Sequence, residues 1–205
     1  MRKMGILAKV AMHVVGILLA AGQGRRFDPC GQRNKLLAPL TSGDPVAVAS
    51  ARAMLAVLPT VIAVVPAADT PLAHALRAIG CDVTACPHAA QGMAASLVHA
   101  LRHSLPAAQG WIIALADMPF VEPATIAALR AALEAGAAIA APVHGARRGH
   151  PVAFGAAHLA ALLVLTGDQG ARAIVQAHGV TEVPVDDPGI LHDIDTPDDL
   201  PTGAL

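Results

Sequence analysis

The chain has 205 residues, of which 55% are hydrophobic, 2% aromatic and 14% charged, with a formal net charge of −1. That length allows one domain with a sizeable core, built of necessity from Ala, Val, Leu and Ile. So neutral a chain has no global field to attract nucleic acid or an acidic membrane, and any basic site is local.

The opening "MRKMGILAKVAMHVVGILLAAG" has basic residues before an apolar stretch, as a signal peptide does. Lys9 and His13 interrupt the run, and it leads straight into a glycine loop that cleavage would destroy. Residues 1–11 are therefore read as an N-terminal extension, disordered or a start-site artefact, with the domain spanning 12–205. No run approaches the ~20 apolar residues that span a bilayer. Cys30, Cys81 and Cys86 are odd in number and scattered, which argues against a disulfide framework and for a reducing cytoplasm.

In chain order, "HVVGILLA", "VIAVVP", "CDVTAC", "WIIALAD" and "AAIAAPV" read as strands. They are continuous apolar runs, as expected where both faces of a sheet are covered. Between them "PVAVASARAMLAVL", "TPLAHALRAI", "GMAASLVHALRHSL" and "EPATIAALRAALEAG" have helical spacing. Pro71 and Pro123 stand in first turns, and Gly136 ends the last of these helices. This alternation predicts a mostly parallel α/β sheet with right-handed crossovers in a single domain. Beyond residue 142 the pattern loosens. "HGARRGHPVAFG" reads as a turn entering a strand, "AAHLAALLVL" and "DQGARAIVQAHG" as helices, and "VTEVPV" as a short strand. In "DIDTPDDL", Thr196-Pro197 opens a further helix.

Three places carry chemistry. The first is the loop Gly22-Gln23-Gly24-Arg25-Arg26, with Lys35 further on; four of the fourteen Lys and Arg lie between Arg25 and Lys35. A glycine loop leaving a parallel strand lies at the sheet edge where α/β folds bind ligands. Its N–H groups and cations suit phosphate, but it is neither a GxxxxGK[ST] loop nor a GxGxxG fingerprint. The second is Asp117, which directly follows the strand "WIIALA" and so stands on the same edge. A carboxylate beside a phosphate site calls for a cation between them, and Mg2+ is the usual one. The third is the tail. Asp193 and Asp195 alternate in an extended segment and point to opposite sides, so only one easily faces a given metal. Asp198 and Asp199 suit the first turn of a helix.

Together these features predict a nucleoside triphosphate site with Mg2+. "LLAAGQGRRF…NKLL" resembles the nucleotide-binding motif of GT-A-like nucleotidyltransferases. "LADMPFVEPATIAAL", "GMAASL", "GHPVAFG", "TGDQGAR" and "DIDTPDDL" follow in the order seen in one branch, the MocA-like molybdenum cofactor cytidylyltransferases of the MobA-like NTP transferase family. The resemblance covers about residues 14–200. It implies a Rossmann-like, GT-A-like three-layer sandwich. It also implies transfer of CMP from CTP to the molybdopterin-Mo cofactor, giving molybdopterin cytosine dinucleotide and pyrophosphate with Mg2+ as cofactor. By the same motifs Leu19, Ala20, Ala21, Gly22, Gln23, Gly24 and Arg25 surround the nucleotide, with Gly92 and Ser96 opposite. Arg26, Lys35 and Asp117 are the implied catalytic residues, Arg26 and Lys35 meeting phosphates. Asp117 and Asp195 are the implied metal ligands, with Asp193 behind them. His150, Pro151, Asp168, Gly170, Arg172 and Asp193 fall on the acceptor side. A molybdenum hydroxylase apoenzyme is an implied partner. The alternatives are a sugar- or alcohol-phosphate acceptor, and a non-catalytic carrier or insertion chaperone for such a hydroxylase.

One departure stands out. Phe27-Asp28 replaces the usual Met-Gly, and "DPCGQR" lengthens the loop before Lys35. Its glycines and charges predict a loop with little apolar anchor. His99 and His103 are spaced as zinc ligands can be, but lack a neighbouring Glu and a third ligand. Trp111 is read as core.

Overall fold

β1 (Val14–Leu19) is buried from Val14 to Leu18, as its apolar run requires. In the computed structural model, which describes residues 12–22, 24–30, 32–105, 108–168 and 170–201, it is an interior strand of the sheet. The extension 1–11, Gln23 and Gln169 lie outside the described residues. β1 pairs in parallel with β2 (Val61–Val65) on one side and β4 (Gly110–Leu115) on the other; β3 (Asp82–Ala85) lies beyond β2. Past β4 comes β7 (Val152–Gly155), antiparallel, followed by β5 (Ile139–His144). The edge of β5 is shared by β6 (Arg147–Arg148), antiparallel, and β8 (Thr181–Pro184), parallel. The order is thus β3-β2-β1-β4-β7-β5, and the sheet is mostly parallel as predicted.

Strand alternation sorts side chains to two faces. Val14, Leu18, Ile112 and Ala114 meet α1 (Val46–Leu55), α2 (Pro71–Ala78) and α4 (Pro123–Glu134) through Met54, Leu76, Ile126 and Leu129. Val15, Ile17, Trp111 and Ile113 meet α3 (Met93–Ser104), α5 (Leu159–Leu163) and α6 (Arg172–Ala177) through Leu97, Leu101, Leu162 and Ile174. Trp111 is fully buried and donates from its indole N–H to Ser104 Oγ at 2.8 Å, so it is core.

The crossovers are not all of one hand. β1-α1-β2 and β4-α4-β5 step in opposite directions along the sheet, yet α1 and α4 pack on the same face and touch. Those two units therefore have opposite hands, which corrects the uniform crossover expected from alternation. The antiparallel β7, inserted between β4 and β5, accompanies the exception.

The helices read after residue 155 are shorter than their apolar pattern suggests. A 3-10 turn over Ala156–His158 precedes α5, and α6 begins only at Arg172. Gly167 and Gly170 take positive φ (73° and 51°), which breaks helical continuity between α5 and α6. The final "TPDD" makes only a 3-10 turn, Pro197–Asp199. Among the described residues no helix is long and apolar enough to cross a membrane.

Candidate active site

β1 and β4 are neighbours and end on the same sheet edge, so the residues that follow them meet. Asp117 comes two residues after β4. Its backbone is held from both sides: Ser50 Oγ, buried in α1, donates to the Ala116 carbonyl at 3.0 Å, and Ile194 N–H donates to the Asp117 carbonyl at 2.8 Å. Ile194 is completely buried, so the tail is pinned and Asp195, next in sequence, is delivered beside Asp117.

Lys35 arrives from the glycine loop. Asn34 Oδ1 accepts from Leu36 N–H at 3.0 Å, and Leu36 plugs the core, which fixes the 3-10 turn Lys35–Leu37. The aliphatic stem of Lys35 lies along Gly24, whose φ of 58° suits glycine best. Its ammonium reaches Asp117 Oδ2 at 2.7 Å and Asp195 Oδ1 at 3.1 Å, with only 9% of the side chain exposed. Burial opposes the charge on Lys35, but the two carboxylates outweigh it and raise its pKa above the ordinary lysine value. Arg26 takes the other oxygen of Asp195 at 2.5 Å. Asp117 Oδ1 is buried and has no hydrogen-bond partner among the described residues.

The tail is tied down by Asp199, whose Oδ2 accepts from Asp195 N–H, Thr196 N–H and the Thr196 hydroxyl at 3.0, 2.7 and 2.9 Å. Those bonds, the Thr196 N–H first, hold the Asp199 carboxyl below its usual range. This is the structural role foreseen for a first-turn aspartate.

Two clefts open on this edge. The first, about 470 Å3, runs between the β1 loop and the start of α3. Of the residues implied for the nucleotide, Leu19, Ala21, Gly22, Arg25, Gly92 and Ser96 line it, as does Asp117. Arg25, not Arg26, faces this cleft; Arg26 turns to Asp195. Ala20 is 1% exposed and belongs to the core. The second cleft, about 530 Å3, is bounded by β7, α3 and α6. Its walls are mainly apolar, with Leu97, Ile113, Val152 and Phe154 among them, and its polar rim includes Arg148, His150, Arg172 and Gln176. Leu19, Met93, Leu115 and Asp168 line both clefts, so the two share a wall.

Other implied acceptor residues are placed differently. Pro151 borders only a small void beside Ser50 and Met54, and Gly170 is buried near Met93. Asp193 is exposed and within electrostatic reach of His150. Although part of the His150 residue is open to solvent, desolvation by the surrounding protein pushes its imidazole below the usual value, against the pull of Asp117 and Asp193. Asp168 does not cap α6; it lies against Gly92, and Gly167 C=O accepts from Ala94 N–H in the first turn of α3 at 3.1 Å.

The long loop is anchored after all. Phe27 is 4% exposed and packs into the core, with the Arg33 guanidinium 5.6 Å above its ring. Asp28 accepts from the N–H groups of Cys30 and Arg33 at 3.0 and 2.6 Å. The Phe27-Asp28 departure is thus the fastening the composition did not suggest. His99 bonds Thr84 Oγ1 and His103 bonds Asp82, so the pair is spent on structure.

Gly92 gives a direct test of how the α3 entry is built. Its φ of 118° and ψ of 172° are nearly exclusive to glycine. A Cβ there would stand 2.4 Å from Asp168 Oδ1 and 2.6 Å from the Gly167 carbonyl. Gly92→Ala is expected to cost about 1–3 kcal/mol of stability and to displace the loop before α6. Thermal melting and titration with nucleotide check this, the latter showing roughly tenfold weaker binding.

An α/β domain that sets a glycine loop and a strand-end carboxylate beside paired clefts can hold a nucleotide and a second substrate next to each other, and the protein is a nucleotidyltransferase. A model of the MobA-like NTP transferase domain matches residues 16–183, and the chain belongs to that family. Among solved structures, Rv0371c from Mycobacterium tuberculosis H37Rv is similar at 30% identity and a TM-score of 0.76, covering 92% of this chain and 96% of that one. Its homolog from Mycobacterium sp. strain JC1 is 26% identical with a TM-score of 0.76, over 91% and 92% of the two chains. A nucleotidyl transferase from Methanothermobacter thermautotroptrophicus shares the fold at 24% identity and a TM-score of 0.75, over 91% and 94%. No curated protein sequence matches the chain.

Proposed function

We propose that the enzyme transfers CMP from CTP to the molybdopterin-Mo cofactor, releasing pyrophosphate, with Mg2+ bound by Asp117 and Asp195. The observation that carries the reading is the shared wall between the clefts. It sets the cleft of the glycine loop against a second, largely apolar pocket with a cationic rim. Such a pocket suits a flat heterocycle bearing a phosphate better than a polyol, whose hydroxyls need many polar partners. The motif series in the sequence supports the same acceptor and base.

The donor set fits a hard divalent cation. Asp117 Oδ1 is a buried carboxylate oxygen without a partner, costly to leave unsatisfied. Among the described residues no three His, Cys, Asp or Glu side chains gather to hold a metal alone. Mg2+ commonly takes one or two carboxylates and completes its shell with water and phosphate. Rv0371c, 29% identical in that structure, has been solved in complex with manganese. When bound, the cation would neutralise charge on the phosphates and on the departing pyrophosphate.

The chain's own groups do the rest by position and charge. The Ala21-Gly22 backbone and Arg25 cradle the triphosphate. Lys35, charged at any working pH, supplies a positive charge from the floor. The acceptor's phosphate oxygen attacks the α-phosphorus, forming a new P–O bond as the α–β bridge breaks to pyrophosphate. That phosphate is already ionised near neutrality, so no general base is required. In this reading Arg172 and His150, which line the second cleft, orient the acceptor.

Pyrophosphate release by pure protein with Mg2+, molybdopterin-Mo cofactor and each of CTP, GTP, ATP and UTP tests the reading. Release with CTP alone, dependent on the pterin, is expected. Release only with a sugar or alcohol phosphate would keep the transfer chemistry and overturn the acceptor. Absence of release with tight pterin binding would favour the carrier.

A further inference from the structure

The charges around Asp117 cancel. Asp117 and Asp195 are negative; Lys35 and Arg26, bonded to them, are positive. Lys35 is nearly sealed from water, so its contacts with both carboxylates are weakly screened. A free divalent cation approaching this cluster finds Asp117 Oδ2 and Asp195 Oδ1 taken by an ammonium and Asp195 Oδ2 by a guanidinium. Among the described residues only Asp117 Oδ1 of these carboxylate oxygens has no partner, and it is buried. Seating the cation would leave a net positive cluster at close range. A free triphosphate, in turn, meets two carboxylates. A cation already paired with a triphosphate brings both signs, and its phosphates offer Lys35 and Arg26 new partners.

We propose that Lys35 is the resident counter-cation of the Asp117–Asp195 pair, so that the cleft admits its divalent cation together with a nucleotide and not alone. Lys35 then has two successive partners, the carboxylates at rest and the phosphates when loaded. Its stem packs beside Gly24, and the rotatable bonds of that unbranched chain allow the ammonium to change partner without moving the backbone. The inference rests on the first cleft being the nucleotide site.

The test is titration of the whole protein with Mn2+, read by its electron paramagnetic resonance, with and without α,β-methylene CTP. Wild type is expected to bind Mn2+ weakly alone and at least about tenfold more tightly with the analogue. Lys35→Met should tighten binding of Mn2+ alone by roughly tenfold and lose most of the enhancement by nucleotide. Lys35→Arg keeps the charge and should stay weak. If Lys35→Met does not fold, Arg26→Ala, at an exposed side chain, should tighten Mn2+ binding to a smaller degree by freeing Asp195 Oδ2. Equal affinity for Mn2+ with and without the analogue in wild type overturns the proposal. So does unchanged affinity in both Lys35→Met and Arg26→Ala. Failure of the analogue to bind under any condition instead strikes the nucleotide reading of the cleft, while the comparison with Mn2+ alone still judges Lys35.

Discussion

Asp117→Asn is expected to lower kcat/KM for nucleotidyl transfer by roughly a thousandfold while leaving the fold intact. The substitution keeps an oxygen for the Lys35 ammonium and nearly the same shape, but removes the negative charge. It therefore separates two roles that Asp117→Ala would remove together. If Asp117 serves only as a structural partner of Lys35, the Asn variant should retain activity within about tenfold. If it holds the cation, both variants should lose activity alike. The side chain is 21% exposed at the cleft, and Lys35 keeps Asp195 as a partner, so a melting shift of no more than about 3 °C is expected. Steady-state pyrophosphate release and thermal melting, run on the same preparations, decide the matter. Transfer near the wild-type rate in the Asn variant would remove Asp117 from the cation site.

That Asp117 stands on the same edge as the loop bearing Lys35 was foreseeable because it follows from topology, whereas Asp195 beside them was implied only by the motif resemblance. Strand ends of a parallel sheet share an edge, and a buried parallel strand announces itself as an unbroken apolar run. What stayed hidden depends on contacts between distant residues. Ser50 holding the Ala116 carbonyl spans 66 positions, and no local pattern marks it. The choice between Arg25 and Arg26 depends on where Asp195 lies, which a loop sequence does not encode by itself. The anchoring of that loop was visible only as an unexplained residue, Phe27, whose burial turns an apparent departure into its fastening. Of the two helices read beyond residue 155, the second kept an apolar period across Gly170, and Gly167 stands between them; both glycines take positive φ. There periodicity reported burial, and the glycines decided the backbone.

The largest stability effect is expected at a residue that no motif contains. Asp187, 2% exposed, sits at the N-terminus of α4 without belonging to it. Its Oδ2 accepts from Glu122 N–H at 2.9 Å and from the Thr125 hydroxyl at 2.6 Å, and its Oδ1 from Gly189 N–H at 2.9 Å. Glu122, at the N-cap position, makes no side-chain capping bond, so the remote aspartate does that work where the helix dipole favours negative charge. Asp187→Ala strips three donors of their partner at once, those from Thr125 and Gly189 in buried bonds. Hydrogen bonds to a charged group are worth about 1.5–3 kcal/mol each, but relaxation recovers part of this. A net loss of about 3 kcal/mol is expected, which lowers the melting temperature by roughly 6–12 °C in a domain of this size. Thr125→Val removes one donor and leaves the others, so about 1 kcal/mol is expected. The effect should also reach the site. The turn Pro188–Leu191 that Asp187 opens receives His150 N–H at the Ile190 carbonyl, and leads directly into Ile194 and Asp195. Asp187→Ala should therefore weaken Mn2+ binding in the presence of nucleotide even well below its melting temperature, whereas Thr125→Val should not. Equal melting of Asp187→Ala and wild type would mean that water replaces the carboxylate, and that α4 is held by its apolar face alone.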